Sequence, residues 1–166
     1  MTGDSLIDAD TAARVGSVAA TASGAVIRRD WQRWAVAVGD VNPLWFDPEY
    51  ARANGYRDVI CPPLYLQYAI LGVTPLSGLR PDGSSGAVSG SLAFPKAPRR
   101  MAGGESFTFH QPAYHGDEIA MVRTIESITE KDGRSGRFVL VTWHTVYHNQ
   151  DRDLVAEATT SMIARP

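Results

Sequence analysis

Gly39-Asp40-Val41-Asn42-Pro43-Leu44-Trp45-Phe46-Asp47 is the stretch of sequence that decides the fold of this chain. The residues before it repeat with helical spacing: tryptophan, alanine and valine side chains recur at i, i+3, i+4 and i+7 from Trp31. Asp30 is a good N-cap and glycine ends helices readily, so a helix is predicted from Asp30 to Val38, stopped by Gly39.

A second helix is predicted immediately after this stretch. Asp47 supplies a cap, Pro48 suits the first helical position and Glu49 is an early acid, which together predict a helix from Asp47 that ends at Gly55. The quoted stretch is therefore a loop between two helices. Within it, the Asp40 carboxylate can accept hydrogen bonds from backbone N–H groups, and the Asn42 side chain can stabilise the turn before Pro43.

Composition excludes several classes of function. The chain has 166 residues, 44% hydrophobic and 20% charged, with a formal net charge of -2, so one globular core is expected and no electrostatic footprint for nucleic acid is present. The single cysteine, Cys61, excludes an intramolecular disulfide and a multi-cysteine zinc site, and its apolar surroundings predict a small buried side chain.

The sequence shows no targeting or membrane signal. The first residues carry Asp4, Asp8 and Asp10 and lack a basic start followed by an apolar run, so no signal peptide is predicted. The longest mostly apolar run, Val59 to Val73, contains Gln67 and is too short to span a bilayer. We therefore expect a cytoplasmic protein without a membrane partner.

The middle of the chain predicts a central helix and a long loop. Pro62-Pro63 opens an apolar run from Leu64 to Leu71 with almost no polar face, which indicates a helix buried on all sides. Residues 78–100 are rich in glycine, serine and proline and predict a long loop or flap. At the start of the chain, residues 1–18 form an extension with a short helix capped by Ser5 or Asp8.

The rest of the chain predicts an antiparallel sheet. A first strand is expected from Ala19 to Arg28, and the C-terminal part alternates strands with turns. Its four predicted strands are Gly104 to His110, Glu118 to Glu130, Arg137 to Asn149 and Leu154 to Ile163. A buried helix needs such a sheet wrapped around it, so the predicted fold class is α+β, with a curved antiparallel sheet around a central helix, in a single domain over residues 1–166.

These features together resemble the MaoC-like (R)-specific enoyl hydratases and 3-hydroxyacyl dehydratases, which have the hotdog fold. The resemblance covers nearly the whole chain and is strongest for the N-terminal, dehydratase-like half type. The matching pieces, in order, are the helix and loop from Trp34 to Ala51, Ile60 to Pro63, Gly103 to Glu105, Gln111 to Asp117 and Tyr147 to Glu157.

The resemblance implies an acid/base pair of which one member is missing. Asp40 stands where the family has its catalytic Asp, with Asn42 supporting the loop, but Trp45 stands where the family has its catalytic His. An indole N–H donates a hydrogen bond and cannot accept a proton. Pro63 stands on the family's oxyanion-binding glycine, and proline has no N–H to donate.

The same resemblance implies which residues meet substrate. Trp45, Pro63 and Tyr65 would contact the acyl thioester, and Lys96, Arg99 and Arg100 would meet phosphates of coenzyme A, unless they form only a solvated basic loop. No metal is expected, since His144 and His148 are too far apart on their strand to share a metal ion. No cofactor is expected either, since the sequence has no Gly-x-Gly-x-x-Gly or Gly-x-x-x-x-Gly-Lys motif that would bind a nucleotide.

Three functions are consistent with this pattern. In the first, the chain is the non-catalytic, substrate-shaping half of a hydratase or dehydratase, bound to a MaoC-type subunit that carries the Asp/His pair and acting on an acyl-CoA or acyl-carrier-protein thioester. In the second, it is a homodimeric dehydratase or cyclase that uses Asp40 alone. In the third, it is a non-catalytic acyl-thioester binding module.

Overall fold

A computed structural model describes residues 4–71, 75–79 and 92–166 of the chain. Its five strands form one sheet in the order β1-β3-β4-β5-β2, and every neighbouring pair is antiparallel. The strands are β1 (Val18–Ala25), β2 (Arg99–Phe109), β3 (Glu118–Gly133), β4 (Gly136–His148) and β5 (Leu154–Arg165). The predicted sheet is confirmed, and β3, β4 and β5 form the expected meander.

Alternation of side chains gives the sheet an inner and an outer face. In β4 the side chains of Val139, Val141, Thr145 and Tyr147 are buried on the inner face, whereas the residues between them are only half-buried. Successive residues of a strand point to opposite faces, so this pattern follows directly from the sequence. The inner face carries the helices and both hydrophobic clusters of the protein.

Four short helices lie in the described ranges: α1 (Ala9–Ala12), α2 (Arg28–Ala37), α3 (Pro48–Ala53) and α4 (Leu66–Ala69). Asp8 caps α1 by accepting from the N–H of Thr11 at 2.7 Å, and Asp47 caps α3 as predicted. The predicted start of α2 is wrong. Its N-cap is Ile27, and Asp30 lies in the first turn, where a carboxylate also favours the helix.

The central helix differs from its prediction in length and burial. It consists of a 3-10 turn, Pro63–Tyr65, followed by α4, and this unit crosses β1. Leu66 and Ile70 are buried, but Tyr68 is 50% and Leu71 64% exposed, so the helix is not buried on all sides. The sheet covers only one side of it. The sheet and this helix nevertheless form the predicted hotdog arrangement.

Two hydrophobic clusters share the inner face. The first joins α2, the loop after it and the central helix to one half of the sheet, around Trp31, Trp45 and Tyr147. The second covers the other half, where Leu92 and Phe94 pack on the sheet beside the N-terminal segment. The inner face therefore carries two separate clusters, which are covered by different parts of the chain.

The predicted loop or flap over 78–100 lies partly outside the described residues, namely at 80–91. Residues 92–98 contain no helix or strand, whereas Arg99 and Arg100 belong to β2, so the loop ends earlier than predicted. Across the ranges that are described, no helix combines the length and apolarity needed to cross a membrane.

Candidate functional site

The loop between α2 and α3 is held by its own polar side chains. The Oδ1 atom of Asp40 accepts from the backbone N–H of Asn42 at 3.3 Å, and the Oδ1 atom of Asn42 accepts from that of Leu44 at 3.0 Å. The N–H of Asp40 donates to the carbonyl of Ala35 at 2.8 Å. Both side chains named as candidate catalytic groups therefore contact backbone of the same loop.

Trp45 lies inside the first hydrophobic cluster. It is 7% exposed, and its carbonyl accepts hydrogen bonds from the Gln32 amide at 3.0 Å and the Trp31 indole at 3.4 Å. Its own indole N–H is buried and has no hydrogen-bond partner among the described residues. The side chain that stands where the family has its histidine thus packs in the first hydrophobic cluster.

The start of the central helix borders a cavity of about 240 Å³. We call it the head cavity; its walls include Tyr56, Ile60, Cys61, Pro63, Leu66 and Phe109. Pro63 opens the 3-10 turn and Pro62 caps it, so neither residue supplies an N–H there. Cys61 is buried as predicted, and this burial raises the pKa of its thiol far above the ordinary value.

Tyr65 belongs to an aromatic group on the helical side of the core. Its ring lies 5.7 Å from that of Trp34 and 6.2 Å from that of Tyr68, between ring centroids. Burial raises the pKa of the Tyr65 phenol, and the carboxylate of Asp30 adds to this. Tyr65 therefore stays protonated at neutral pH and packs at the edge of the first cluster.

The three basic residues lie in a different part of the molecule. Lys96 Nζ contacts Asp4 Oδ2 at 2.5 Å and the carbonyl of Ser5 at 3.0 Å. Arg99 donates to the carbonyl of Pro166, and Arg100 to that of Leu92. These contacts tie the second cluster and the chain termini together, so the structure does not bring the basic residues to the Asp40 loop.

Three of the four histidines, His110, His115 and His144, have contacts outside that loop. His110 and His144 each contact one carboxylate oxygen of Glu157, at 2.9 and 3.3 Å. The Nδ1 atom of His115 lies 3.4 Å from the carbonyl of Val26, beside the start of α2. Within the described residues, no three His, Cys, Asp or Glu side chains are grouped so that they could hold a metal ion.

Sequence reasoning missed a second cavity, of about 500 Å³, between the central helix, β1 and the inner face of the sheet. We call it the arginine cavity, because Arg123 lines it together with Gln67 and Tyr147. The signal was present in the sequence. Arg123 alternates with Met121 and Ile125 on β3, so a charged residue stands at an inward position of an otherwise apolar row.

Comparison with known proteins identifies a family with similar sequences. A family model described as FAS1-like, dehydratase domain region, matches residues 13–158. A UPF0336 protein of Parafrankia sp. (strain EAN1pec) is 35% identical over 138 residues, which are 83% of this chain and 82% of that protein. The residues matched by the family model therefore include the Asp40 loop, the central helix and most of the sheet.

Two further comparisons concern function and fold. A probable enoyl-CoA hydratase alpha subunit of Thermomonospora curvata is 30% identical over 128 residues, 75% of this chain but 40% of that protein. A chain of the ChsH1-ChsH2 complex from Mycobacterium tuberculosis superposes with a TM-score of 0.70 and 19% identity, covering 93% of this chain and 86% of that chain. At this identity the likeness shows the fold.

Proposed function

The chain belongs to the FAS1-like dehydratase family of MaoC-like hotdog proteins, and on that premise we propose that it is the non-catalytic half of a two-subunit hydratase or dehydratase. The substrate would be a 2-enoyl or (3R)-3-hydroxyacyl thioester of coenzyme A or of an acyl carrier protein. The partner subunit would carry the Asp/His pair and move the protons, while this chain would shape the acyl site.

The observation that carries the proposal is the burial of Trp45. Acid/base catalysis on a thioester needs a group that accepts and returns a proton, and loss of such a group costs about 10² to 10⁴ in rate. Trp45 is 7% exposed in the core cluster, and the Asp40 carboxylate accepts from its own loop. The loop thus has a structural role: it maintains the backbone conformation that the family has between these two helices.

The start of the central helix supports the same assignment. A thioester carbonyl that gains negative charge needs a preorganised N–H donor, and removal of one donor costs about 10² to 10³ in rate. Pro62 and Pro63 occupy this position and leave no N–H at either residue. Two independent groups of the family mechanism are therefore absent from this chain.

The outer edge of β2 is a suitable surface for binding the catalytic subunit. β2 pairs with β5 on one side, and in the described residues no strand pairs with its other side. An unpaired edge exposes a row of N–H and C=O groups that a strand from another chain satisfies readily. β2 is long and exposed almost throughout, and Met101 on it is 49% exposed. We place the catalytic subunit along this edge.

The decisive experiment compares the chain alone with the chain plus a MaoC-type subunit that carries Gly-Asp-x-Asn-Pro-x-His. Hydration of 2-enoyl-CoA is followed by the loss of absorbance of the conjugated thioester. We expect no activity from the chain alone and activity from the mixture. Asp40→Asn in this chain should leave the rate of the mixture unchanged, whereas substitution of the partner's catalytic histidine should abolish it.

The competing functions give different results in the same assay. Robust activity of the chain alone that is lost in Asp40→Asn would contradict the proposal and indicate a homodimeric enzyme. Binding of acyl-CoA without turnover, whichever MaoC-type subunit is added, would also contradict it and indicate a binding module. Calorimetry with acyl-CoA, run with and without the added subunit, separates this last case from failure to bind.

A further inference from the structure

The guanidinium of Arg123 lines the arginine cavity and is held there by a hydrogen bond to a neighbouring strand. The Nε atom of Arg123 donates to the Thr145 hydroxyl at 3.2 Å, which fixes the side chain against β4. In the described ranges no Asp or Glu forms an ion pair with it. A half-buried guanidinium of this kind favours an anionic ligand, because desolvation without a partner is unfavourable.

Three neutral polar residues, Thr21, Gln67 and Tyr147, line the same cavity. Gln67 comes from the central helix and Tyr147 from β4. Burial raises the pKa of the Tyr147 phenol, so it remains a hydrogen-bond donor at neutral pH. A guanidinium, a phenol and an amide that line one cavity match the two oxygens of a carboxylate, which accepts several hydrogen bonds.

The remaining lining residues are apolar. They are Val18, Ala19, Ala20 and Ala22 of β1, together with Ile70, Leu71 and Met121. A cavity of about 500 Å³ that combines apolar side chains with several polar groups has room for a small organic molecule that carries a polar end. A single cation suits a single negative charge, whereas a phosphate group carries nearly two and would require more donors.

We propose that the arginine cavity binds the terminal carboxylate of an acyl group, so that the chain selects dicarboxylic acyl thioesters. This inference rests on the proposed function for the thioester end of the ligand only. The apolar walls would hold the methylene chain, and Arg123 would form the ion pair. Strand register supports this position, because Arg123 lies between Ala20 of β1, which also lines the cavity, and Thr145 of β4.

The test is calorimetric titration of the full chain with adipyl-CoA and hexanoyl-CoA, which have acyl chains of equal length. We expect adipyl-CoA to bind about 10- to 100-fold more tightly, as expected for a charge-assisted hydrogen-bonded pair. Arg123→Met should remove this preference by weakening adipyl-CoA binding, while hexanoyl-CoA should bind at least as tightly as it binds the wild type, which also shows that the variant is folded. Arg33→Met, at an exposed position of α2, is the matched control and should behave as wild type.

Equal affinity for the two thioesters in the wild-type chain, or a preference that survives Arg123→Met, would overturn the inference while the proposed function stands. If neither thioester binds, the proposed function loses its support, and free adipate then tests the cavity alone. Adipate binding that is lost in Arg123→Met supports the carboxylate site, and absence of binding overturns it. Displacement of adipate by equimolar inorganic phosphate would assign the cavity to a phosphate and also overturn the inference.

Discussion

The carbonyl oxygen of Ala69 approaches Gly24 so closely that a Cβ atom on Gly24 would lie 2.0 Å from it. Ala69 is the last residue of α4, and Gly24 lies near the end of β1. The clashing atom belongs to backbone, so it moves only if the helix moves. This contact sets the distance between the central helix and the sheet, and with it the width of the space between them.

Gly24→Ala is therefore expected to destabilise the protein. Overpacking of this kind costs about 1 to 3 kcal/mol in the free energy of unfolding, measured by urea denaturation. Ser23→Ala, one residue earlier on β1, is the control and should change the free energy by less than about 0.5 kcal/mol. An unchanged free energy of unfolding in Gly24→Ala would show that the helix is not held against the strand here.

The second prediction concerns acid stability and Glu130. The pKa of the Glu130 carboxyl is lowered from 4.5 to about 2. The largest cause is the hydrogen bond from the Ser5 hydroxyl, and Arg137 and the N–H of Leu6 also contribute. A lowered pKa in the folded state means that the ionised form stabilises the fold. This contribution to stability is complete above pH 4.5 and is lost as the pH falls towards 2. The hydrogen bond from the Leu6 N–H to Glu130 joins the N-terminal segment to β3.

Glu130→Gln should accordingly lower the free energy of unfolding at neutral pH, by about 1 to 3 kcal/mol. The difference from wild type should shrink progressively between pH 4.5 and pH 2. Urea denaturation at a series of pH values measures this. Glu126→Gln, an exposed position on the same strand, is the control, and a difference that stays constant with pH would contradict the assignment to Glu130.

Local signals in the sequence predicted the fold well, because caps, glycines and alternation act over a few residues. Asp47 caps α3, and the inward row of β4 is buried as its alternation requires. The start of α2 was harder, because Asp30 suits either the cap or the first turn and only packing decides between them. The exposed side of the central helix depends on how far the sheet reaches around it, which no local pattern records.

The candidate site was predictable only in its loop. The contacts of Asp40 and Asn42 lie within a few residues, so turn chemistry was enough to foresee them. The arginine cavity depends on strand register and on the place where the helix crosses β1. Alternation on β3 gives Arg123 an inward position, but only the fold brings it into one cavity with Tyr147 and Gln67. Long-range pairing of this kind cannot be derived from spacing along the chain.

The third prediction separates the contribution of the Trp45 ring to stability from that of its indole N–H. Since the indole N–H has no partner among the described residues, Trp45→Phe keeps most of the buried ring and removes only an unused donor. It should cost less than about 1.5 kcal/mol, whereas Trp45→Ala should cost about 3 to 5 kcal/mol through the cavity it leaves. Loss of acyl-CoA binding in a folded Trp45→Phe variant would show that the N–H binds the ligand instead.

The last prediction concerns the partner. If the catalytic subunit pairs along β2, a charge at Met101 has to be desolvated in the interface, which is unfavourable without an opposite charge to pair with. Met101→Glu should weaken the complex by about tenfold or more, as measured by calorimetry, without changing the melting temperature of the free chain. Val36→Glu, at a side chain of α2 that is 62% exposed, introduces the same charge on another surface and should leave the affinity unchanged. Equal weakening by both substitutions would indicate a general charge effect, and weakening by Val36→Glu alone would place the partner on the helical side of the molecule.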